Sequence, residues 1–384
     1  MGPAPLQGGV PVASPARRAL ERIQPYVPGT SAEDARRLFG VHDAIKLSSN
    51  ENPYGAGRLA REAAARAAGE IHLYPDGASR ALREALGRHL DVDPRQVAVG
   101  CGSDEIFRML AEAYLEPGRS AVFAQTTFSQ YAFVTRLMDA EEVSVPLKEG
   151  VHDLWEMAYR ARKHRARLVF VCNPNNPTGT YVTRAEVLRF LDAIPGETLV
   201  VFDEAYVEYV EAPDFPDVLE LIREGRRVVS TRTFSKIHGL AGLRVGYAVG
   251  PVDVIETLER VRPPFNVNRV AQAAAVAALQ DTEHIEMSRR INRAERQRLA
   301  QELKALGLRP YPSQANFVWV DLGRPSDEVY RGLLERGVIV RAGSSFGCPT
   351  ALRISIGTPE QNQRLIDALA AVLEAAATKG EVGA

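Results

Sequence analysis

Cysteine is scarce: three occur in 384 residues, Cys101, Cys172 and Cys348, odd in number and far apart. That leaves no disulfide framework and suits small buried residues in a reducing compartment. No HExxH or CxxC pattern occurs and the histidines lack ligand spacing, so no metal is expected. An excess of either charge is missing too. Lys and Arg number 47 against 48 Asp and Glu, and the basic residues are spread along helical patterns, which argues against a nucleic-acid partner. The longest apolar runs, such as 168–172 and 199–202, are far too short to span a bilayer. The opening MGPAPLQGG carries neither a charged stretch followed by an apolar core nor, with Leu6 at its sixth position, a myristoylation signal. No membrane association or export is expected, and the cytoplasm is the expected location. What is present is an ordinary globular composition, 45% apolar and 25% charged, in a chain long enough for two domains.

Residues 1–16 are rich in Gly, Pro and Ala without apolar periodicity and read as a mobile leader. A short helix follows over 31–39, opened by Ser31 and Asp34 and closed at Gly40. Then short apolar or β-branched runs (97–99, 121–123, 143–145, 168–171, 199–202, 227–230, 245–249) alternate with helical patterns such as 105–115 and 185–191. Such βα repetition with continuously apolar strands predicts a sheet buried on both faces. After the break RPPFN at Arg262 come an Ala-rich helix over 269–279 and a long polar one over 283–306; the rest reads as a smaller α+β unit. The expected division is a leader 1–16, an N-terminal arm 17–45, a large domain 46–282 and a small domain 283–384.

Ligands of open α/β sheets sit beyond the carboxyl ends of the strands, so the residues just after each predicted strand carry the chemistry. STRTFSKIHGLAGLRVG, Ser230 to Gly246, sets Lys236 among Thr233, Ser235 and Arg244. An amine can form an imine with a cofactor aldehyde such as that of pyridoxal phosphate (PLP), while hydroxyls and a permanent cation suit its phosphate. The plain alternative is a solvated lysine after an apolar strand. GCGSDE, Gly100 to Glu105, feeds a helix whose free amides suit a single phosphate. A dinucleotide fingerprint would need a glycine where Glu105 stands. NPNNPTG, Asn173 to Gly179, and DEAY, Asp203 to Tyr206, follow two further strands; each alone is a turn or a helix cap.

In this order, and joined by PYVPG (25–29), KLSSNENPYG (46–55), YPD (74–76), GSDEIF (102–107), TFSQY (127–131), RPPFNVN (262–268) and LRISIG (352–357), the motifs make the chain resemble the fold-type I PLP-dependent aminotransferases of the class I/II group, over nearly its whole length. More narrowly it is similar to the branch acting on histidinol phosphate. The resemblance implies an α/β fold, with a mostly parallel central sheet flanked by helices in a large domain and a smaller α+β C-terminal domain. It implies PLP bound to Lys236, which moves the reaction's proton; Asp203 facing the ring nitrogen; Asn176 and Tyr206 on the phenolic oxygen; and Phe128 against the ring. Gly102, Ser103, Asp104, Thr233, Ser235 and Arg244 would hold the phosphate, joined by Tyr54 from a second subunit, so a homodimer is implied. Lys236, Asp203 and Tyr206 are the catalytic set. Arg353 would grip the carboxylate of glutamate or 2-oxoglutarate, Arg341 and Tyr26 the phosphate of histidinol phosphate, with Asn52, Tyr54 and Asn176 completing the substrate side. Phenylalanine and tyrosine aminotransferases share most of this pattern, so an aromatic amino donor is the alternative; threonine-phosphate decarboxylation and a non-catalytic PLP sensor are more remote. His238 and Cys101, near these motifs, read as packed residues, and Trp155 and Tyr159 as a helix face in a core or interface.

Overall fold

The apolar runs form strands buried on both faces, as continuous rather than alternating hydrophobicity requires. A computed structural model describes residues 16–25, 29–30 and 32–381, so the leader up to position 15, Tyr26 and Ser31 lie outside the described residues. Strand β1 (Ile45–Lys46) is followed by β2 (Val97–Gly100), β3 (Ser120–Ala124), β4 (Glu141–Val145), β5 (Leu168–Cys172), β6 (Leu199–Asp203), β7 (Val228–Thr233) and β8 (Gly246–Val249). These last seven make one sheet in the order β2-β8-β7-β6-β5-β3-β4, with β8 antiparallel to β2 and β7 and the pairs from β7 to β4 parallel.

Alternation along each strand sends side chains to two cores. Val169 and Val171 meet helices Leu154–Lys163 and Arg184–Ala193 on one face, while Leu168 and Phe170 meet helices Ser103–Tyr114 and Gln130–Leu137 on the other. Helix Leu154–Lys163 shows its apolar stripe plainly: Leu154, Met157, Ala158 and Ala161 are buried, whereas Trp155 and Tyr159 are exposed. Trp155 and Tyr159 therefore do not belong to the core.

Helix Thr282–Ala305, capped by Asp281 through the backbone N–H of His284, leads to a four-stranded antiparallel sheet. Its strands are β9 (Arg309–Pro310), β10 (Phe317–Asp321), β12 (Arg341–Ala342) and β13 (Ala351–Ser355), in the order β12-β13-β10-β9. Strand β11 (Val338–Ile339) pairs in parallel with β1, and Leu47 bonds to both Ile339 and Ser355, so residues 45–47 are tied to this C-terminal unit. The fold is thus α/β, a mostly parallel sheet flanked by helices plus a smaller α+β unit. Most expected ends shift by a residue or two, and two of the shifts have plain local reasons. Strand β7 continues to Thr233 because β8 pairs with its polar end as far as Gly246, and the helix expected from 105 starts at Ser103 because Gly102, at φ 77°, turns the chain into it. Among the described residues no helix is long and apolar enough to cross a membrane.

Candidate active site

The carboxyl ends of β5, β6 and β7 open onto a cavity of about 300 Å³, roofed by residues of the N-terminal segment and of β12, β13 and the turn after β12. Of the expected site residues, Ser103, Asp104, Phe128, Asn176, Asp203, Tyr206, Thr233, Ser235, Lys236, Arg244, Arg341 and Arg353 all line it. Gly102, Asn52 and Tyr54 do not, Gly102 lying just ahead of the helix that starts at Ser103. The Asn52 amide is spent on Ile237 O (2.8 Å) and Ser288 Oγ (3.0 Å), and both Asn52 and Tyr54 line a separate, much smaller cavity in this single chain. Tyr26 lies outside the described residues.

Lys236 follows β7 by three residues and is half-buried. Its Nζ donates to Ser49 O at 3.0 Å and lies 5.8 Å from the Tyr206 ring centre. Burial, helped by the nearby Arg353 cation, lowers its ammonium to about 8, which leaves a usable share of neutral, nucleophilic amine near neutrality. Asp203 closes β6 from below the cavity. Burial pushes its carboxyl up to about 6, against which Tyr131 donates its hydroxyl to Oδ2 at 2.6 Å and the Ala205 N–H approaches Oδ1 at 3.2 Å. Asn50 donates to the Tyr206 hydroxyl at 3.1 Å. Arg353 donates to Asn176 Oδ1 at 2.6 Å and to Ser48 O, with its guanidinium 5.6 Å and 5.4 Å from the Phe317 and Phe346 ring centres. Arg341 is its antiparallel register partner and bonds Ser345 Oγ at 3.1 Å, so two guanidinium groups share one wall.

At the opposite end, helix Ser103–Tyr114 begins without a side-chain cap, leaving first-turn amides for an anion. Arg244 sits beside them in a left-handed conformation (φ 56°) and pairs with Asp104 at 3.2 Å. Gly102 turns the chain at φ 77°, which favours glycine, and a Cβ there would come within 2.6 Å of Arg244 Nη2 and push that cation aside. Amine, acid and anion cradle therefore surround one cavity with the donor set that PLP requires, and the residues present fit that group.

Sequence reasoning misses Tyr131 although TFSQY contains it; its spacing of three from Phe128 at the opening of a helix is the one local signal for it. Asn50 and Ser49 escape it as well, for they act through contacts across the fold. His238 is buried against the Phe234 ring (4.8 Å) and outside the cavity; burial, with His89 and His284 nearby, drops it to about 3, which removes it from acid–base work near neutrality. Burial also raises the Cys101 thiol, disfavouring a thiolate.

Known proteins share both the sequence and the shape of this chain. Residues 42–369 match the family Aminotransferase class I and II. A histidinol-phosphate aminotransferase of Moorella thermoacetica is 49% identical over 358 residues, 93% of this chain and 92% of that protein. One of Symbiobacterium thermophilum is 47% identical over 94% of this chain and 99% of its own length. Among solved structures, histidinol-phosphate aminotransferase from Sinorhizobium meliloti in complex with pyridoxal-5'-phosphate superimposes with a TM-score of 0.87 at 29% identity, covering 94% of this chain and 98% of that one.

Proposed function

Because this chain belongs to the class I and II aminotransferases, we propose that it is a PLP enzyme exchanging an amino group between histidinol phosphate, with imidazole acetol phosphate as its keto form, and glutamate or 2-oxoglutarate, a step of histidine biosynthesis. When bound, PLP supplies the aldehyde that takes up the amino group and the ring that withdraws electrons from the reacting carbon. The protein's part is positional and electrostatic. Lys236 holds the cofactor through Nζ and then carries a proton on that atom, a task suited to an amine lowered to about 8. Asp203, ionised when it faces a cationic ring nitrogen, keeps a proton there; Tyr131 fixes which oxygen it presents. Asn176 and Tyr206 orient the ring's oxygen edge, Phe128 its face, and the first turn of helix Ser103–Tyr114 with Arg244 anchors the phosphate.

One observation carries the choice of substrate. Arg341 and Arg353 stand as register partners on the wall away from Arg244, so the cavity has a second place for an anion, with two cations for it. A dianionic phosphate uses both, and a carboxylate needs one bidentate guanidinium. The relatives at 49% and 47% identity carry the corresponding name. An assay offering histidinol phosphate or phenylalanine as donor to 2-oxoglutarate tests the reading; a higher kcat/KM for phenylalanine would turn it over in favour of an aromatic aminotransferase. Tyr54, outside its own chain's cavity, supports a homodimer in which it completes the partner's phosphate site, and free cysteines support a cytoplasmic location.

A further inference from the structure

Strand alternation puts a second charged pair directly behind the cavity. Asp203, Thr231 and Thr233 share the cavity side of β6 and β7, which leaves Glu204, Ser230 and Arg232 on the reverse side. There Glu204, 1% exposed, accepts on Oε2 from Arg232 Nε (3.1 Å), Arg232 Nη2 (3.0 Å) and Ser230 Oγ, while its Oε1 is buried without a partner. Arg232 is the register partner of Tyr247 and also faces Glu208, whose carboxyl burial pushes up to about 7. None of these groups reaches the cavity. A buried carboxylate deprived of its cation is far more disruptive than a hydrophobic pair in its place. This one is covalently adjacent to Asp203, and its partner Arg232 stands on β7 just ahead of Lys236.

We propose that Arg232 is a positioning residue for the reaction: by compensating the buried Glu204 carboxylate beside the ends of β6 and β7, it keeps that charge from disturbing the placement of Asp203 and Lys236 and from acting on Asp203. This rests on the roles given to Asp203 and Lys236 under the proposed function. Beside the pair, β6 and β7 are joined by the Glu204 N–H donating to Thr231 O at 2.8 Å and by the Thr231 hydroxyl donating to Phe202 O at 3.3 Å. The Glu204 charge is also among the influences that raise the Asp203 carboxyl, so an uncompensated Glu204 works against the ionised state that a ring nitrogen needs.

The test uses the full-length holoenzyme and its apoenzyme with three variants: Arg232→Met, Glu204→Gln, and the two combined. Arg232→Met should lower kcat by roughly 10- to 100-fold, the scale of misplacing catalytic groups from a distance, with KM for both substrates nearly unchanged and PLP binding to the apoenzyme weakened. The double variant, which loses the same hydrogen bonds but leaves no uncompensated carboxylate at position 204, should recover kcat and PLP affinity to within about threefold of wild type. Should Arg232→Met fail to fold, Glu204→Gln replaces it as the single variant, with a loss in both readouts again expected and again relieved in the double. A single variant matching wild type, or a double as impaired as the single, overturns the proposal. Because PLP affinity needs no substrate, this outcome stays separate from the substrate reading, whose failure would appear as wild-type enzyme idle on histidinol phosphate.

Discussion

Asp203→Asn should inactivate the enzyme while making the apoenzyme more stable at alkaline pH, and the size of the gain follows from burial. The carboxyl stands at about 6 in the folded chain against an ordinary 3.8, a raised value, so the folded state binds the proton more tightly and native stability falls as pH climbs through that window. Fully developed above pH 6, the penalty is about 3 kcal/mol, at about 1.36 kcal/mol for each pH unit that separates the folded from the ordinary value. Asparagine escapes it. One oxygen in place of two can keep the Tyr131 bond but not also that from Ala205, a loss of about 1 kcal/mol, so the net gain at pH 8 is about 2 kcal/mol. At pH 4.5 the penalty shrinks to about 1 kcal/mol and the two effects cancel. For a chain of 384 residues, unfolding entropy of about 0.8 kcal/mol per degree converts the gain into a Tm rise of about 2–3 °C. The measurement is thermal unfolding of PLP-stripped wild type and variant at pH 4.5 and pH 8, with kcat of the reconstituted enzymes expected to fall about 100-fold or more. If the Tm difference does not grow between the two pH values, Asp203 bears no burial penalty and its role as a restrained buried acid is wrong.

Lys236→Ala should retain PLP non-covalently yet yield no labelled peptide after borohydride reduction and mass spectrometry, with turnover lost; a reduced adduct on another lysine would move the role elsewhere. Arg341→Ala should lower kcat/KM for histidinol phosphate about 10- to 100-fold, the worth of a charge-assisted partner, and that for glutamate much less; equal losses would favour a carboxylate donor. Mixing Lys236→Ala with Tyr54→Ala protomers, each inactive alone, should restore about a quarter of wild-type activity through mixed dimers with one intact site, and no recovery would remove Tyr54 from the partner's site.

Fold class was legible because burial on both faces writes itself as unbroken apolar runs such as Leu168–Cys172, and because βα alternation admits few architectures. The candidates for chemistry were legible for a related reason: polar residues with no helical or strand periodicity, at strand ends, have little else to do. Local signals could not find Tyr131, Asn50 or Ser49, whose value lies in what they touch: Asp203 lies 72 positions from Tyr131, Tyr206 lies 156 from Asn50, and Lys236 lies 187 from Ser49. Nor could they separate Asp203 from Glu204, adjacent acids that strand alternation turns to opposite faces, one toward the cavity and one into a buried ion pair. Sequence order determined which groups exist and near which strand ends they lie. Only the packing of the sheet, the N-terminal segment and β12–β13 around one cavity decided which of them meet, and how far burial shifts Lys236 and Asp203, because distance and desolvation are properties of the folded chain alone.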